Sequence, residues 1–240
     1  PIPGDMRSKV LTQIAANTGP DMFFVPTGDV PGFVKRGCLL NINEWVTRDK
    51  DEFKDILPKL MQVQTYQGKY YALPGNCNTN ILFYNKKLFK DAKVPFPDEK
   101  WTWKDLIHYG KKLVKRDATG KVTTQYGLLL SSGRWLLLIY QNGGRIWNAE
   151  RTKCTINSPA AREALKFMRD AYSQSRIAPS IFEIREQGER EPFLTGRVAM
   201  YIGSTWEVAT IAIKEYAKSL DWDAALVPCP SLTTPRAYEL

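Results

Sequence analysis

Apolar positions recur at helical spacing over residues 7–17, where Val10, Leu11, Ile14 and Ala15 share one face, and Gly19 and Pro20 stop the helix. The short apolar run Met22–Val25 then reads as a buried strand. Residues 51–64 place Phe53, Ile56, Leu57 and Leu60 on one face of a second helix, with a break or kink expected at Pro58. Residues 66–69 read as a turn and 70–73 as a strand, and Pro95 and Pro97 mark a loop.

Two later helices carry their own start signals. Thr102 with Asp105 forms a capping-box-like pair ahead of Trp103, Leu106, Ile107, Leu113 and Val114 at helical spacing. Ser158 caps the other, with Pro159 at its first position and Ala161, Ala164, Leu165, Met168, Ala171 and Tyr172 as the expected buried face. Strands are expected at 81–84, 126–130, 198–202 and 224–227. Their alternation with helices predicts an α/β fold with helices on both faces of each sheet.

The most informative run is 193–206. Phe193 and Leu194 close an apolar helical face, and Gly196 suits the left-handed conformation that ends a helix. Val198–Ile202 has the continuous apolar character of a strand buried on both faces. Gly203 is expected to let the chain turn sharply at the strand's carboxyl end, presenting Trp206, and open α/β sheets bind ligands at such ends.

This run resembles one in the extracellular solute-binding proteins of ABC transporters, the carbohydrate-binding, maltose-binding-protein-like group. There an aromatic, glycine, a basic residue and Ala-Met precede the rest of a strand, glycine and tryptophan. Three further segments agree in the family's order: 11–24, with its Gly19-Pro20-Asp21 turn; 32–40; and 66–74 followed by 81–86. The resemblance implies a bilobal periplasmic-binding-protein-like fold of two α/β lobes joined by hinge strands, present here as a fragment. It implies an incomplete N-terminal lobe over 1–78, a C-terminal lobe over 79–232, a first crossing near 75–80 and the start of a return crossing at 233–240. The implied function is capture of a sugar or oligosaccharide between the lobes for delivery to ABC permease subunits. The implied location is extracytoplasmic, either periplasmic or lipid-anchored at the outer face of the cytoplasmic membrane.

Composition narrows the alternatives. The net charge is +9, with nine basic and eight acidic residues before position 81 and 25 basic and 17 acidic after it. The later charges, such as Lys104, Lys111, Lys112, Lys115 and Arg116, alternate with apolar helix positions and read as a solvated face. No nucleic-acid-binding signature occurs, so no nucleic-acid partner is expected, and the protein is expected to be a monomer. Cys38, Cys77, Cys154 and Cys229 are scattered and His108 is the one histidine, so no metal or cofactor is expected. Disulfides and buried free thiols both remain open. No Walker loop or GxSxG elbow occurs, and the expectation is a binder, not an enzyme. Paired carboxylates of a glycan-active enzyme and a regulator with this fold stay as alternatives.

Sugars require acceptors and donors around the ring edge and flat aromatics for the ring face. The loop holding Thr27 and Asp29 matches the family's acidic cleft loop, although Asp29 could equally cap the next helix. Asn76 and Asn78 match the cleft-lining hinge segment, where amides suit hydroxyls, with turn chemistry as the alternative. Arg134 and Trp135 follow the strand 126–130. Trp135 matches a family aromatic, and Arg134 could bind a uronate or sugar phosphate, or extend into water while Trp135 packs inward. Gly203 and Trp206 match the family's stacking tryptophan and its glycine, with core packing as the alternative for Trp206. Trp101, Trp103 and Trp222 are expected to be structural, Trp45 and Trp147 are undecided, and His108 is expected at the surface.

Overall fold

The computed structural model describes residues 3–121, 123–130, 132–180, 182–184, 188–213 and 220–232. The chain forms two compact units that divide between Cys77 and Asn78. The return crossing expected at 233–240 lies outside the described residues.

The first unit opens with α1 (Pro3–Ala15), of which Val10 is buried and Leu11 and Ile14 half-buried. Ala15, expected inward, is exposed. Short helices follow: α2 (Val30–Lys35), α3 (Asn43–Arg48) and α4 (Pro58–Gln62). The helix expected over 51–64 is instead a single 3-10 turn, Lys50–Phe53, and then α4. Pro58 explains the division. It lacks an N–H to donate and its ring clashes with the preceding turn, so it starts α4 instead of kinking a longer helix. The turn at Gln67-Gly68 is formed, with both residues at positive φ (51° and 74°), joining β1 (Thr65–Tyr66) to β2 (Lys69–Tyr70). β2 is shorter than expected.

The expectation that fails most plainly is the strand at Met22–Val25. The segment is irregular, with Met22 89% and Phe24 68% exposed. A buried strand needs a neighbour for its N–H and C=O groups and a second layer for its side chains. Among the described residues of this unit, the strands are β1 and β2, which pair with each other. Among the described residues, the α/β layering expected of both lobes is therefore seen in the second unit.

That unit is built on a five-stranded mixed sheet, in the order β4-β5-β6-β3-β7, from β3 (Asn80–Asn85), β4 (Lys115–Arg116), β5 (Thr123–Leu130), β6 (Val198–Ser204) and β7 (Trp222–Leu226). β5 and β6 run parallel, whereas β3 is antiparallel to both β6 and β7. The carboxyl ends of β5, β6 and β7 thus meet the amino end of β3. Asn80 pairs with Ser204, Leu130 with Ile202, and Ile81 with Leu226. β7 begins two residues earlier than expected, because its pairing starts opposite Asn85 at Trp222.

Strand alternation sends β6 side chains to two cores. Met200 and Ile202 enter one with Leu82, Leu128 and Leu130; Tyr201 between them enters the other with Phe83, Leu129 and Phe193. The first core is covered by α6 (Trp103–Leu113), α7 (Trp135–Gln141) and α8 (Pro159–Tyr172), following α5 (Lys86–Asp91). Asp105 accepts from the Thr102 N–H at 2.8 Å and hydroxyl at 2.7 Å, and Ser158 Oγ accepts from the Ala161 N–H at 3.3 Å. The inner face of α8 is lined with alanine: Ala161, Ala164 and Ala171 are fully buried. Leu165, expected inward, sits at the rim and is 37% exposed, because small residues bring the helix close and leave no depth beside them.

Gly196 ends the short helix Glu191–Leu194 at φ 71°, with its N–H bonded to Phe193 O and the Arg197 N–H to Pro192 O. Trp101 and Trp103 are buried, Trp222 packs edge-on to Phe83, and His108 is exposed, as expected. Trp45 and Trp147 are both exposed. Cys38, Cys77 and Cys154 are free thiols, half-buried or exposed, and Cys229 is buried.

Candidate functional site

The end of the sheet where β5, β6 and β3 meet holds the pair Arg134 and Glu207. β5 leaves through a 3-10 turn, Ser132–Arg134, into α7. From there the Arg134 guanidinium donates through Nη1 to Asn80 Oδ1 at 2.7 Å and through Nε to the Ile202 carbonyl at 3.1 Å. Its Nη2 lies 3.8 Å from Glu207 Oε2. Arg134 therefore turns inward, which removes the alternative that it extends into water. The physical reason is that a buried carboxylate and two acceptors at the sheet end compete well with solvent for a planar fork of donors.

Glu207 is the hub of this group and is only 3% exposed. Its Oε1 accepts from the Tyr201 hydroxyl at 2.6 Å and its Oε2 from the Ser204 N–H at 2.6 Å. Burial, then the hydrogen bond to Glu207, push the Tyr201 phenol up, so it stays a neutral donor. Gly203 acts differently from expectation. It lies within β6, with no positive φ. A Cβ there would fall 2.5 Å from Glu207 Oε2, 2.7 Å from Tyr201 Cε1 and 2.9 Å from Phe83 Cε2. The glycine is needed for the close approach of these side chains and not for a turn.

The 3-10 turn Thr205–Glu207 follows and carries Trp206, which is 52% exposed. Core packing of Trp206 is thereby removed as an alternative. The Arg190 guanidinium lies 5.0 Å from the centre of its ring and donates to Thr210 Oγ1 at 3.2 Å. The same turn is bonded to the segment leading into β3: the Thr205 N–H donates to Thr79 O at 2.9 Å, and the Thr79 N–H to Thr205 Oγ1 at 3.2 Å. Asn78, exposed, precedes this staple by one residue.

Trp135 begins α7, half-buried against the first core, and lines a cavity of about 970 Å³ with Tyr126, Tyr172, Phe182 and Glu183. Of the candidate residues, only Trp135 borders this cavity. Tyr126 donates to Glu183 Oε1 at 2.7 Å, and Tyr172 donates to the Leu130 carbonyl. Burial raises the Glu183 carboxyl, but hydrogen bonds from Tyr126 and Ser180 outweigh it and hold the group below its ordinary range. Burial and then the Glu183 bond push the Tyr126 phenol up to about 12. Burial and then the Glu189 charge push the Tyr172 phenol up to about 12.

A phenol whose folded-state value is raised contributes stability that is complete below its ordinary value of about 10 and is lost as pH rises through the folded value. Urea midpoints are expected to hold up to about pH 10 and to fall between pH 10 and 12, less steeply in Tyr172→Phe. Equal slopes in both proteins would refute the role given to Tyr172.

In the first unit, Asp29 accepts from Arg7 Nε at 3.0 Å and pairs through its second oxygen with Arg7 Nη2. It makes no side-chain cap to α2, so the capping alternative does not hold. A carboxylate offers about four lone-pair sites, so the pairing leaves acceptor capacity. Thr27 Oγ1 accepts from Gln64 Nε2 at 3.4 Å, and Asn76 is exposed in an irregular segment. Arg134, Gly203 and Trp206 are thus brought together through Glu207, and Asn78 is next in sequence to Thr79, which is bonded to the Trp206 turn. Thr27, Asp29 and Asn76 belong to the other unit.

Sequence reasoning missed Glu207, Asn80, Tyr201 and Arg190. Glu207 had a visible signal, since Ser204 and Glu207 have capping-box spacing. Arg190 had none. Among the described residues, no group of three His, Cys, Asp or Glu side chains could hold a metal ion, and no helix is long and apolar enough to cross a membrane.

Residues 3–230 match the family described as bacterial extracellular solute-binding protein. The maltodextrin-binding protein MdxE of Bacillus subtilis is 28% identical over 93% of this chain and 50% of its own length. The diacetylchitobiose binding protein DasA of Streptomyces coelicolor is 23% identical over 98% of this chain and 54% of its own. Among solved structures, the ABC substrate-binding protein Lmo0181 from Listeria monocytogenes, in complex with cycloalternan, aligns with a TM-score of 0.82 at 28% identity. That alignment covers 94% of this chain and 57% of the other. The chain spans about half the length of the curated relatives it matches.

Proposed function

This chain belongs to the bacterial extracellular solute-binding proteins, and from that membership we propose that it captures a neutral sugar or oligosaccharide for uptake through an ABC permease. The observation that carries the reading is Trp206, half-exposed on a braced turn at the carboxyl end of a strand buried on both faces. Such a ring offers the apolar face on which a pyranose stacks. Asn78, the turn leading to Trp135, and Gly203 share the second unit with it. Thr27, Asp29 and Asn76 are the candidate acceptors and donors of the first unit. The same reading treats residues 1–78 and 79–232 as the two lobes of a hinge-closing receptor, extracytoplasmic and monomeric, either periplasmic or lipid-anchored, without catalytic activity.

Arg134 supports a neutral over an acidic ligand. Its Nε and Nη1 donate to Ile202 and Asn80, and Glu207 lies opposite its charge. Little positive field is left for a uronate or phosphate. Calorimetry on the full-length protein, with a neutral oligosaccharide and its uronate analogue at low and high salt, tests this. Binding of the neutral sugar that is insensitive to salt is expected. A salt-sensitive preference for the uronate, lost in Arg134→Gln, would replace the neutral ligand with an acidic one. Release of new reducing ends from the bound sugar would replace the receptor with an enzyme.

A further inference from the structure

We infer that Arg134 and Arg190 are positioning residues for Trp206, holding its indole so that one face is left for a ligand. The inference rests on the reading of Trp206 as the stacking residue.

The turn that carries Trp206 is three residues long and would be mobile by itself. It is anchored from two directions. On its carboxyl side Glu207 is sunk into the protein, bonded to Tyr201 and to the Ser204 N–H, with Arg134 as the cation facing it. Arg134 also holds Asn80 and Ile202, so β3, β6 and the turn share one hub. On its amino side Thr205 is bonded twice to Thr79.

These contacts fix the backbone but not the ring. Arg190 supplies that restraint. Its guanidinium lies over the indole at 5.0 Å, within cation–π range, and is tethered by Thr210. One face of Trp206 is therefore occupied by the protein's own cation. The remaining face is the one on which a sugar can stack, without first ordering the ring.

The test uses full-length protein labelled with 5-fluorotryptophan, with the Trp206 fluorine signal assigned by Trp206→Phe. The signal is expected to be a single sharp line in the parent. It should shift in Arg190→Gln, which removes the cation over the ring, and broaden or shift in Arg134→Gln. Thr205→Val replaces Arg134→Gln should the latter fail to fold, because it leaves the buried pair intact. An unmoved Trp206 line in the folded variants would overturn the inference without reference to any ligand.

Calorimetry with the neutral oligosaccharide supplies the second readout. Arg190→Gln should weaken binding by about 5–10-fold, the size of a lost cation–π restraint, and Arg134→Gln should weaken it as well. Neither should weaken it further in a Trp206→Ala background. Additive losses would mean that the arginines touch the sugar directly and would overturn a positioning role. If Trp206→Ala itself left affinity unchanged, the stacking reading would fall, while the fluorine signal would still decide whether the arginines hold the ring.

Discussion

Replacing Trp206 by alanine is expected to weaken binding of the cognate sugar by about 1–3 kcal/mol while leaving the fold intact. The two effects separate because of where the ring sits. Trp206 is 52% exposed and belongs to neither core, so its removal opens no cavity. Its backbone turn is held by Thr205 and Glu207, which the substitution leaves in place. What the substitution removes is a flat apolar surface that, under the proposed function, the ring face of a sugar covers. Calorimetry with an oligosaccharide ligand, beside a urea melt of the same protein, reads both quantities. An unchanged affinity in a folded Trp206→Ala protein would remove the residue from the site. A large drop in the urea midpoint would instead assign it to the core.

The second expected result concerns the frame behind the site. Gly127 of β5 faces Gly110 of α6, and a Cβ on Gly127 would lie 2.2 Å from the Gly110 carbonyl oxygen and 2.7 Å from its carbonyl carbon and Cα. All three atoms are backbone, so no rotamer change relieves the clash and the helix must move off the sheet. Gly127→Ala is expected to cost about 3 kcal/mol, at the upper end for overpacking. Two controls calibrate it. Gly110→Ala meets the end of the Ile177 side chain at 2.9 Å, which can rotate away, so a smaller loss is expected. Gly133→Ala meets nothing within 4 Å and should change stability little. Urea unfolding of the three variants measures the order. A Gly127→Ala protein as stable as its parent would contradict the close approach of α6 to β5. Binding should fall with stability in Gly127→Ala, because β5 leads directly into the turn of Arg134.

The features legible in the sequence were those written in local chemistry. The caps Thr102–Asp105 and Ser158, the left-handed Gly196, the positive-φ turn at Gln67-Gly68 and the doubly buried β6 each depend on a few neighbouring residues. For the caps, Gly196 and the turn, local rules suffice because the decisive hydrogen bonds close over a few positions, whereas β6 was legible from its continuous apolar run. The exposed position of Trp206 just beyond β6 was legible for a related reason, since strand and aromatic are near neighbours in the chain.

What only the tertiary structure decided depends on partners far away in sequence. Met22–Val25 has the composition of a strand, yet an extended segment becomes one only where another strand accepts its bonds. Gly203 reads locally as a turn residue, but its real constraint is the crowding of Glu207, Tyr201 and Phe83 around its missing side chain. Arg134 reads as a surface or anion-binding group, and its inward course follows from Asn80, 54 positions away, and Ile202, 68 positions away. Periodicity and capping determined which residues form helices and strands. Which side chains converge at the sheet end was decided by strand order, because burying a charge requires a partner that only the folded sheet brings within reach.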